Sequence, residues 1–373
     1  MKFNISSTML CSRLQTISRV LSSKNSLAIL DCILFELENG SLKLTASDSD
    51  TTLVTYVETS EADCNGKFAI NAKTLIDALK EISEQPITFY VNNDNNEIEI
   101  CYQNGKYNLI GQNANEYPTP MGIGENVRNL NIGCNVLLNG ISRTLFATAD
   151  DELRPVMNGV YFDVSENFIT FVASDGHKLV RNRNYSVKGE NAAFILPKKP
   201  ALMLKNILPK EDGNATVRFD DRNAEIQLAN FKLSCRLIEG RYPNYNSVIP
   251  SDNPFRVTID RQALISALRR VSVFASASNA LIKLRLDMNT LTVSAQDIDF
   301  STSAEEHIIC DYSGNPMSIG FKGTFLLDIL NSIVGQDVVL ELADPSRAGV
   351  IVPAEQEEEE DLLMLLMPMM LND

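Results

Sequence analysis

Ile169-Thr170-Phe171-Val172-Ala173-Ser174-Asp175-Gly176-His177-Lys178-Leu179 is the fullest copy of a stretch that occurs three times in this 373-residue chain. The earlier copy is Leu42-Lys43-Leu44-Thr45-Ala46-Ser47-Asp48 and the later one Leu291-Thr292-Val293-Ser294-Ala295-Gln296-Asp297. Apolar residues two apart give each the period of a strand with one buried face. Each then ends on an aspartate, which is depleted in strand interiors and common in turns. The aspartates are 127 and 122 residues apart.

Other anchors share the period. Leu10, Leu137 and Leu264 open helical patterns at intervals of 127, continued by Leu14, Ile17 and Leu21, by Ile141 and Leu145, and by Leu268 and Val271. This is the spacing of one buried helix face. A second helix recurs from Asn71, from Pro197 and from Lys322, and Asn71 and Pro197 suit a helix start. Tyr117-Pro118, Tyr242-Pro243 and Met367-Pro368 place a turn at intervals of 125. Alternating runs such as Ile33–Leu37 and Glu225–Leu228, separated by turns such as Asn39-Gly40, fill the rest. Each unit reads as two helices and roughly eight strands, an α+β domain repeated three times with helices packed on antiparallel sheets. The expected domains are 1–122, 128–251 and 254–373.

The composition is that of an ordinary globular chain, 44% hydrophobic and 22% charged. Seven scattered cysteines without a Cys-x-x-Cys pair read as reduced core thiols of a cytoplasmic protein. The N-terminus lacks a signal-peptide core, and the apolar run Leu362 to Leu371 is too short to span a membrane.

Net charge is -15, which taken alone argues against a nucleic-acid partner. Its distribution argues otherwise. Six helices expected at 7–24, 71–83, 135–149, 197–208, 260–274 and 322–334 hold thirteen lysines and arginines and four acids, a net of +9, leaving -24 elsewhere. Any single helix of this kind is ordinarily a solvated face. Across all six, the pattern describes one basic surface suited to a polyanion on an otherwise acidic protein. No groove-reading motif accompanies it, so DNA contact would be to phosphates and independent of sequence.

Catalytic motifs are lacking. No metal-ligand spacing, phosphate loop or nucleophile elbow occurs, and no cofactor or metal is expected. Ser174, Asp175 and His177 are nearly adjacent in one turn, whereas a triad converges from separate segments. The run Glu357 to Asp361 reads as a solvated acidic hairpin or loop.

With the repeat in hand, Ser174-Asp175-Gly176-His177-Lys178-Leu179, Glu239-Gly240-Arg241-Tyr242-Pro243-Asn244-Tyr245, Phe321 to Leu330 and Met367-Pro368-Met369 resemble the bacterial DNA sliding clamp, the β subunit of DNA polymerase III. The resemblance spans essentially the whole chain, with weaker motifs in the first domain. It implies a non-enzymatic processivity factor: a head-to-tail ring of two chains around duplex DNA, helices lining the hole and strands outside. Twelve helices side by side at ~10 Å make a circle of ~120 Å, about 38 Å across between axes. Removing about 10 Å for helix thickness leaves ~28 Å, enough for duplex DNA about 20 Å wide, whereas six helices leave only about 9 Å.

The resemblance implies three sets of residues. Lys24, Lys198 and Lys199 face DNA from loops or helix starts, and Arg13, Lys73, Lys80, Arg143, Lys205 and Arg269 supply a diffuse field. Tyr107 and Leu109 form one side of the dimer interface, and Val273 and Phe274 the other, with Glu305 and Glu306 meeting basic residues such as Lys73. Arg154, Met157, Ser174, Gly176, His177, Lys178, Leu179, Pro243, Val248, Met367, Pro368, Met369 and Leu371 form an apolar pocket for a short hydrophobic peptide carried by polymerase, clamp loader and repair proteins. Unbranched methionines suit a pocket that accepts several peptides. Apart from the resemblance, the methionines and the interface apolar residues read as ordinary core. Three features depart from the family pattern: Met370 and Ser247 each stand where a basic residue is common, and Asn372 with Asp373 extends the usual end. The alternatives are a peptide-binding scaffold of the same fold that does not act on DNA, and a hydrolase using His177.

Overall fold

The computed structural model describes residues 1–22, 27–119 and 122–371. Lys24, Asn372 and Asp373 lie outside the described residues. The first repeat runs β1 (Lys2–Ser6), α1 (Ser7–Ile17), β2 (Cys32–Glu38), β3 (Ser41–Ser47), β4 (Thr51–Glu58), β5 (Gly66–Asn71), α2 (Ala72–Lys80), β6 (Pro86–Val91), β7 (Glu97–Tyr102) and β8 (Gly105–Ile110). The second runs β9 (Arg128–Gly133), α3 (Cys134–Thr144), β10 (Gly159–Val164), β11 (Ile169–Ser174), β12 (Lys178–Asn184), β13 (Ala192–Pro197), α4 (Lys198–Ile207), β14 (Asn214–Phe219), β15 (Asn223–Gln227) and β16 (Phe231–Arg236). The third runs β17 (Phe255–Asp260), α5 (Arg261–Val271), β18 (Leu281–Asp287), β19 (Thr290–Asp297), β20 (Thr302–Ile309), β21 (Met317–Lys322), α6 (Gly323–Ser332), β22 (Asp337–Leu342), β23 (Gly349–Pro353) and β24 (Glu360–Leu366). The order of elements is the same three times, two helices and eight strands each.

The end of a strand starts the next helix. Ser6 accepts from the Met9 N–H, Asn71 from Thr74 and Asp260 from Ala263, each supplying a partner to an otherwise orphaned donor of the first turn. Helices stop earlier than their apolar periodicity suggests. The first, expected to reach residue 24, ends at Ile17 and tightens into a 3-10 turn at Ser18–Val20, with Leu21 already extended. Similar tight turns follow α3, α4 and α5. The one after α4 contains Pro209, which cannot donate to a continuing helix.

The described residues pack as two compact units, and these do not coincide with the repeats. One comprises residues 1–137 and 202–237, the other 138–201 and 238–373. The first holds an eight-stranded sheet, β5-β2-β3-β4-β16-β15-β14-β9, and a four-stranded sheet, β1-β6-β7-β8. The second holds β13-β10-β11-β12-β24-β23-β22-β17 and β20-β19-β18-β21. All pairings are antiparallel. Each large sheet takes four strands from one repeat and four from the next, joined where β4 pairs β16 and where β12 pairs β24.

In the first unit Phe3 stacks on Phe89 and Phe35 on Phe68, each pair at 4.9 Å. In the second, Leu264, Leu268 and Val271 of α5 and Leu326, Ile329 and Leu330 of α6 share one buried cluster with Ala173 and Val180. The stretch around Ser174 was expected to bury one face, but all of β11 is buried. Phe171 fits beneath α3 only because residue 140 is glycine: a Cβ there would lie 2.5 Å from the ring. The opposite face carries Val172 into a cluster with Leu179, Tyr242 and Leu365.

Three sequence expectations fail in the structure. Five cysteines are buried, but Cys64 is exposed and Cys101 partly so. Burial pushes the thiols of Cys32 and Cys235 up, to about 11 and about 12. Arg143, expected to face DNA, is buried instead. Its guanidinium pairs with Glu357 at 2.7 Å and with Glu360. Part of the acidic run is therefore not a solvated hairpin: Glu360 and Asp361 begin β24, and Asp361 pairs with Arg181 at 2.7 Å. Burial, and then the neighbouring Glu357, push the Glu360 carboxyl above its ordinary range while Arg143 opposes them. Replacing Arg143 with methionine strands a buried carboxylate and should cost about 3 kcal/mol in urea unfolding. Adding Glu360→Leu should recover most of that loss, because it removes the buried carboxylate that the first substitution left unpaired.

Candidate docking site and basic surface

The turn after β11 is a hydrogen-bonded scaffold. Asp175 Oδ1 accepts from the backbone N–H of His177 at 2.8 Å and of Lys178 at 2.9 Å. Ser174 Oγ donates to the Lys178 carbonyl and accepts from the Gly176 N–H. The Ser174 hydroxyl and the Asp175 carboxylate that could suggest a triad are thus spent on holding the turn, and His177 joins it through its backbone N–H. Gly176 has φ +89, and a Cβ there would meet Arg154 Nη1 at 2.9 Å, so both conformation and space require glycine. Arg154 is aligned by Asp151 at 2.8 Å and reaches the Asp175 carbonyl.

Lys178 was expected to line the pocket. Its ammonium is buried instead, 2.6 Å from Asp175 Oδ2 and 3.9 Å from the Phe325 ring centroid. Burial pushes the Asp175 carboxyl up, but Lys178 and the two backbone donors outweigh it and hold it below 3.8. Ser174 and Lys178 are therefore framework, and they face into the protein. Leu371 is a further correction. It packs over Gly320 of β21 and lines a cavity of about 610 Å³ with Leu281 and Asp297. Met369 forms a backbone bridge to Gly320. The tail thus turns away onto the third repeat's own sheet after Pro368.

Leu179, Met367 and the Tyr242–Tyr245 segment are tied together by one strand pairing and one apolar cluster. Leu179 lies opposite Leu365 across the β12–β24 pairing, and the Met367 N–H donates to the His177 carbonyl at 2.8 Å. Leu179 and Leu365 are buried in one cluster with Val172, Tyr242 and Tyr245. Tyr242 stacks on Tyr161 at 4.6 Å, and the Tyr245 hydroxyl donates to Asp163 at 2.8 Å. These tyrosines fix the segment that carries exposed Pro243 and Val248. Above the apolar floor, Val248 is 57% and Met367 43% exposed. Half-buried Met157 closes the turn that Arg154 begins, donating its N–H to the Arg154 carbonyl. Sequence reasoning missed Leu365, Tyr161 and Phe325. Leu365 was marked only by its place two residues before Met367.

The basic surface is distributed. Arg13 donates to Asn230 at 3.0 Å, stacks on Phe231, and lines a cavity of about 260 Å³ with Arg19 and Lys210. Lys73, Lys80, Lys205 and Arg269 are exposed on their helices. Lys198 is held by Asp150 at 2.5 Å, and Lys199 is half-buried. Two sheet edges carry the expected interface residues. Half-buried Tyr107 and Leu109 lie on β8, the last strand of its sheet. Glu305 and Glu306 lie on β20, the edge of another, with exposed Val273 and Phe274 in the turn beside it. Glu306 is engaged by Arg270 through two bonds of 2.7 Å within the same chain, so Lys73 is not needed to satisfy it.

Three consecutive family matches cover this architecture: the DNA polymerase III beta subunit N-terminal domain over residues 1–121, its central domain over 131–244 and its C-terminal domain over 246–370. The chain belongs to the DNA polymerase III beta subunit family. The beta sliding clamp of Haemophilus influenzae is 29% identical over 348 residues, covering 92% of this chain and 93% of that one. The Pseudomonas aeruginosa sliding clamp crystallised with griselimycin superposes with a TM-score of 0.93 at 26% identity over the full length of both chains. The Bacillus subtilis sliding clamp, at 23% identity and TM-score 0.91, shares the fold. The function is that of a sliding clamp, a processivity factor of DNA replication and not an enzyme. Among the described residues no helix is long and apolar enough to cross a membrane.

The Asp175 turn gives this family member a pH signature. A carboxyl held below its unfolded value of 3.8 contributes stability above that pH, and loses it as pH falls through the lower folded value. Asp175→Asn should remove this acid-side dependence from urea unfolding. It should also destabilise at pH 7 by about 2 kcal/mol, since Lys178 loses its ion-paired acceptor.

Proposed function

We propose that two copies of this chain close head to tail around duplex DNA, and that each docks partner peptides on the Leu179–Leu365 floor between Arg154, Val248 and Met367. The observation that carries the ring is the pairing pattern. Within one chain, β4 of the first repeat pairs the last strand of the second, and β12 of the second pairs the last strand of the third. The remaining counterparts are β20 of the third repeat and β8, the last strand of the first. Both are sheet edges. The two four-stranded sheets have the strand order of the two halves of a third large sheet, β21-β18-β19-β20 and β8-β7-β6-β1. An exposed edge is a template for another strand. A second copy supplies one at each end, and a head-to-tail contact that closes makes a ring.

Register transfers from the joined sheets. Lys232 pairs Val54 and Leu233 pairs Leu53 where β16 meets β4. The corresponding neighbours across the subunit contact are Lys106 with Glu305 and Tyr107 with Ala304. Opposite charges thus face each other, and Lys106 rather than Lys73 is the partner for Glu305. The domains are 1–122, 128–251 and 254–373, and the ring works in the cytoplasm. Exposed Lys73, Lys80, Lys205 and Arg269, with Arg13, Lys198 and Lys199, present a phosphate-directed field that holds DNA without fixing a sequence. The replicative polymerase, clamp loader and repair proteins reach the floor through a short hydrophobic peptide.

The direct test is topological. The protein loaded on nicked circular DNA should remain bound at high salt and slide off once the circle is cut. Equal loss from both forms sinks the ring. In sedimentation, Lys106→Glu and Glu305→Lys should each weaken the dimer about tenfold, and together restore it. Met367→Asp should abolish peptide binding and leave the dimer mass unchanged.

A further inference from the structure

The joint between the first and second repeats reproduces the backbone frame of the docking joint, but with different side chains. Asp48 Oδ1 accepts from the N–H groups of Asp50 and Thr51, as Asp175 does from His177 and Lys178. Ser47 lies opposite Thr52, as Ser174 lies opposite Leu179. Thr52 pairs Ser234, as Leu179 pairs Leu365. The Arg236 N–H donates to the Asp50 carbonyl at 2.8 Å, the counterpart of Met367 donating to His177 at 2.8 Å. Tyr117-Pro118 repeats Tyr242-Pro243, and a cavity of about 190 Å³ opens there, edged by Leu27, Leu30 and Pro118. The cradle is duplicated, yet its floor is Thr52 and Ser234 where the docking floor is Leu179 and Leu365, and Arg236 replaces Met367. The Thr52 and Ser47 hydroxyls bond each other at 2.7 Å in a buried setting.

We propose that Thr52, Ser234 and Arg236 are specificity-determining residues that close the first joint to apolar peptides, so that each chain offers one docking site and not two. This rests on the docking reading given above. A leucine or phenylalanine laid on this floor would meet the buried Thr52 and Ser234 side chains in place of apolar surface and would strip water from the exposed Arg236 guanidinium without replacing its hydrogen bonds, whereas the leucines of the second joint offer apolar surface and have no such bonds to lose.

The probe is a fluorescein-labelled pentapeptide of leucine and phenylalanine with one glutamine for solubility, titrated against the full-length chain. Wild type should bind one equivalent per chain, and Met367→Asp should lower affinity at least 100-fold. In that background Thr52→Leu with Ser234→Leu and Arg236→Met should restore one equivalent, within about tenfold of wild type. The reciprocal Leu179→Thr, Leu365→Ser, Met367→Arg variant should lose binding at least 100-fold while keeping the dimer mass. Two wild-type equivalents overturn the proposal. So does a triple gain variant that melts like wild type and binds nothing, or a reciprocal variant that keeps its affinity. A wild type that binds no peptide overturns the docking reading itself, and this proposal with it.

Discussion

An antiparallel strand with one bare edge is an incomplete structure, and that constraint organises this chain. Each repeat completes four strands whose outer edge needs a neighbour, and a strand from the next repeat supplies it. β4 receives β16, and β12 receives β24. Folding therefore cannot finish repeat by repeat. The compact units consequently cut through the second repeat, dividing it at residues 137 and 201, because its halves serve different sheets. Among the described residues the same rule leaves the outer edges of β8 and β20 unpaired, and the proposed assembly would continue the pairing that builds each unit.

Side chains at the β12–β24 joint do two jobs. At one end Arg143 and Arg181 engage Glu357, Glu360 and Asp361, tying the acidic run to the second repeat. At the other end the same strand places Leu365 in the apolar cluster with Leu179, and Met367 follows it at the proposed docking floor. The buried Arg143–Glu360 pair and the half-buried Arg181–Asp361 pair oppose a one-residue slip of this strand, and such a slip would turn Leu365 out of the floor. The ionic end thus protects the geometry of the apolar end. Buried pairs of this kind contribute less to net stability than to choosing one arrangement, since desolvation offsets much of their attraction.

The repeat, its element order and the helix faces were legible because local periodicity records which residues are buried. Leu10, Leu137 and Leu264 are all buried at their expected positions. The joining of sheets across repeats was not legible, because pairing between distant strands leaves no mark in either strand's own pattern. Arg143 illustrates a second limit. In sequence it resembles Arg13, a lone arginine on an amphipathic helix. Its burial follows from Glu357 and Glu360, more than 200 residues away in sequence. Leu371 and Lys178 fail for the same reason: position in a motif fixed their backbone, while the direction of the side chain depended on Gly320 in one case and on Asp175 with Phe325 in the other.

The three aspartate turns show how such a fold separates framework from function. Asp48, Asp175 and Asp297 each accept from the backbone N–H groups two and three residues later. Asparagine could imitate that geometry, but it could not offer the second carboxylate oxygen that Asp175 gives Lys178. The backbone requirement keeps the aspartate in every copy. It leaves the residues that follow to vary, as Ser49-Asp50-Thr51 in the first copy and Ile298-Asp299-Phe300 in the third, while in the second Gly176 is required by its positive φ and by Arg154. Those positions, and the strand residues opposite them, were free to become a hydroxyl-lined cleft at one joint and an apolar floor at the next. In the third copy the neighbouring strand β20 is left as a sheet edge. One aspartate turn, whose pair of backbone hydrogen bonds recurs in all three copies, therefore serves three surfaces whose chemistry is set by the side chains around it.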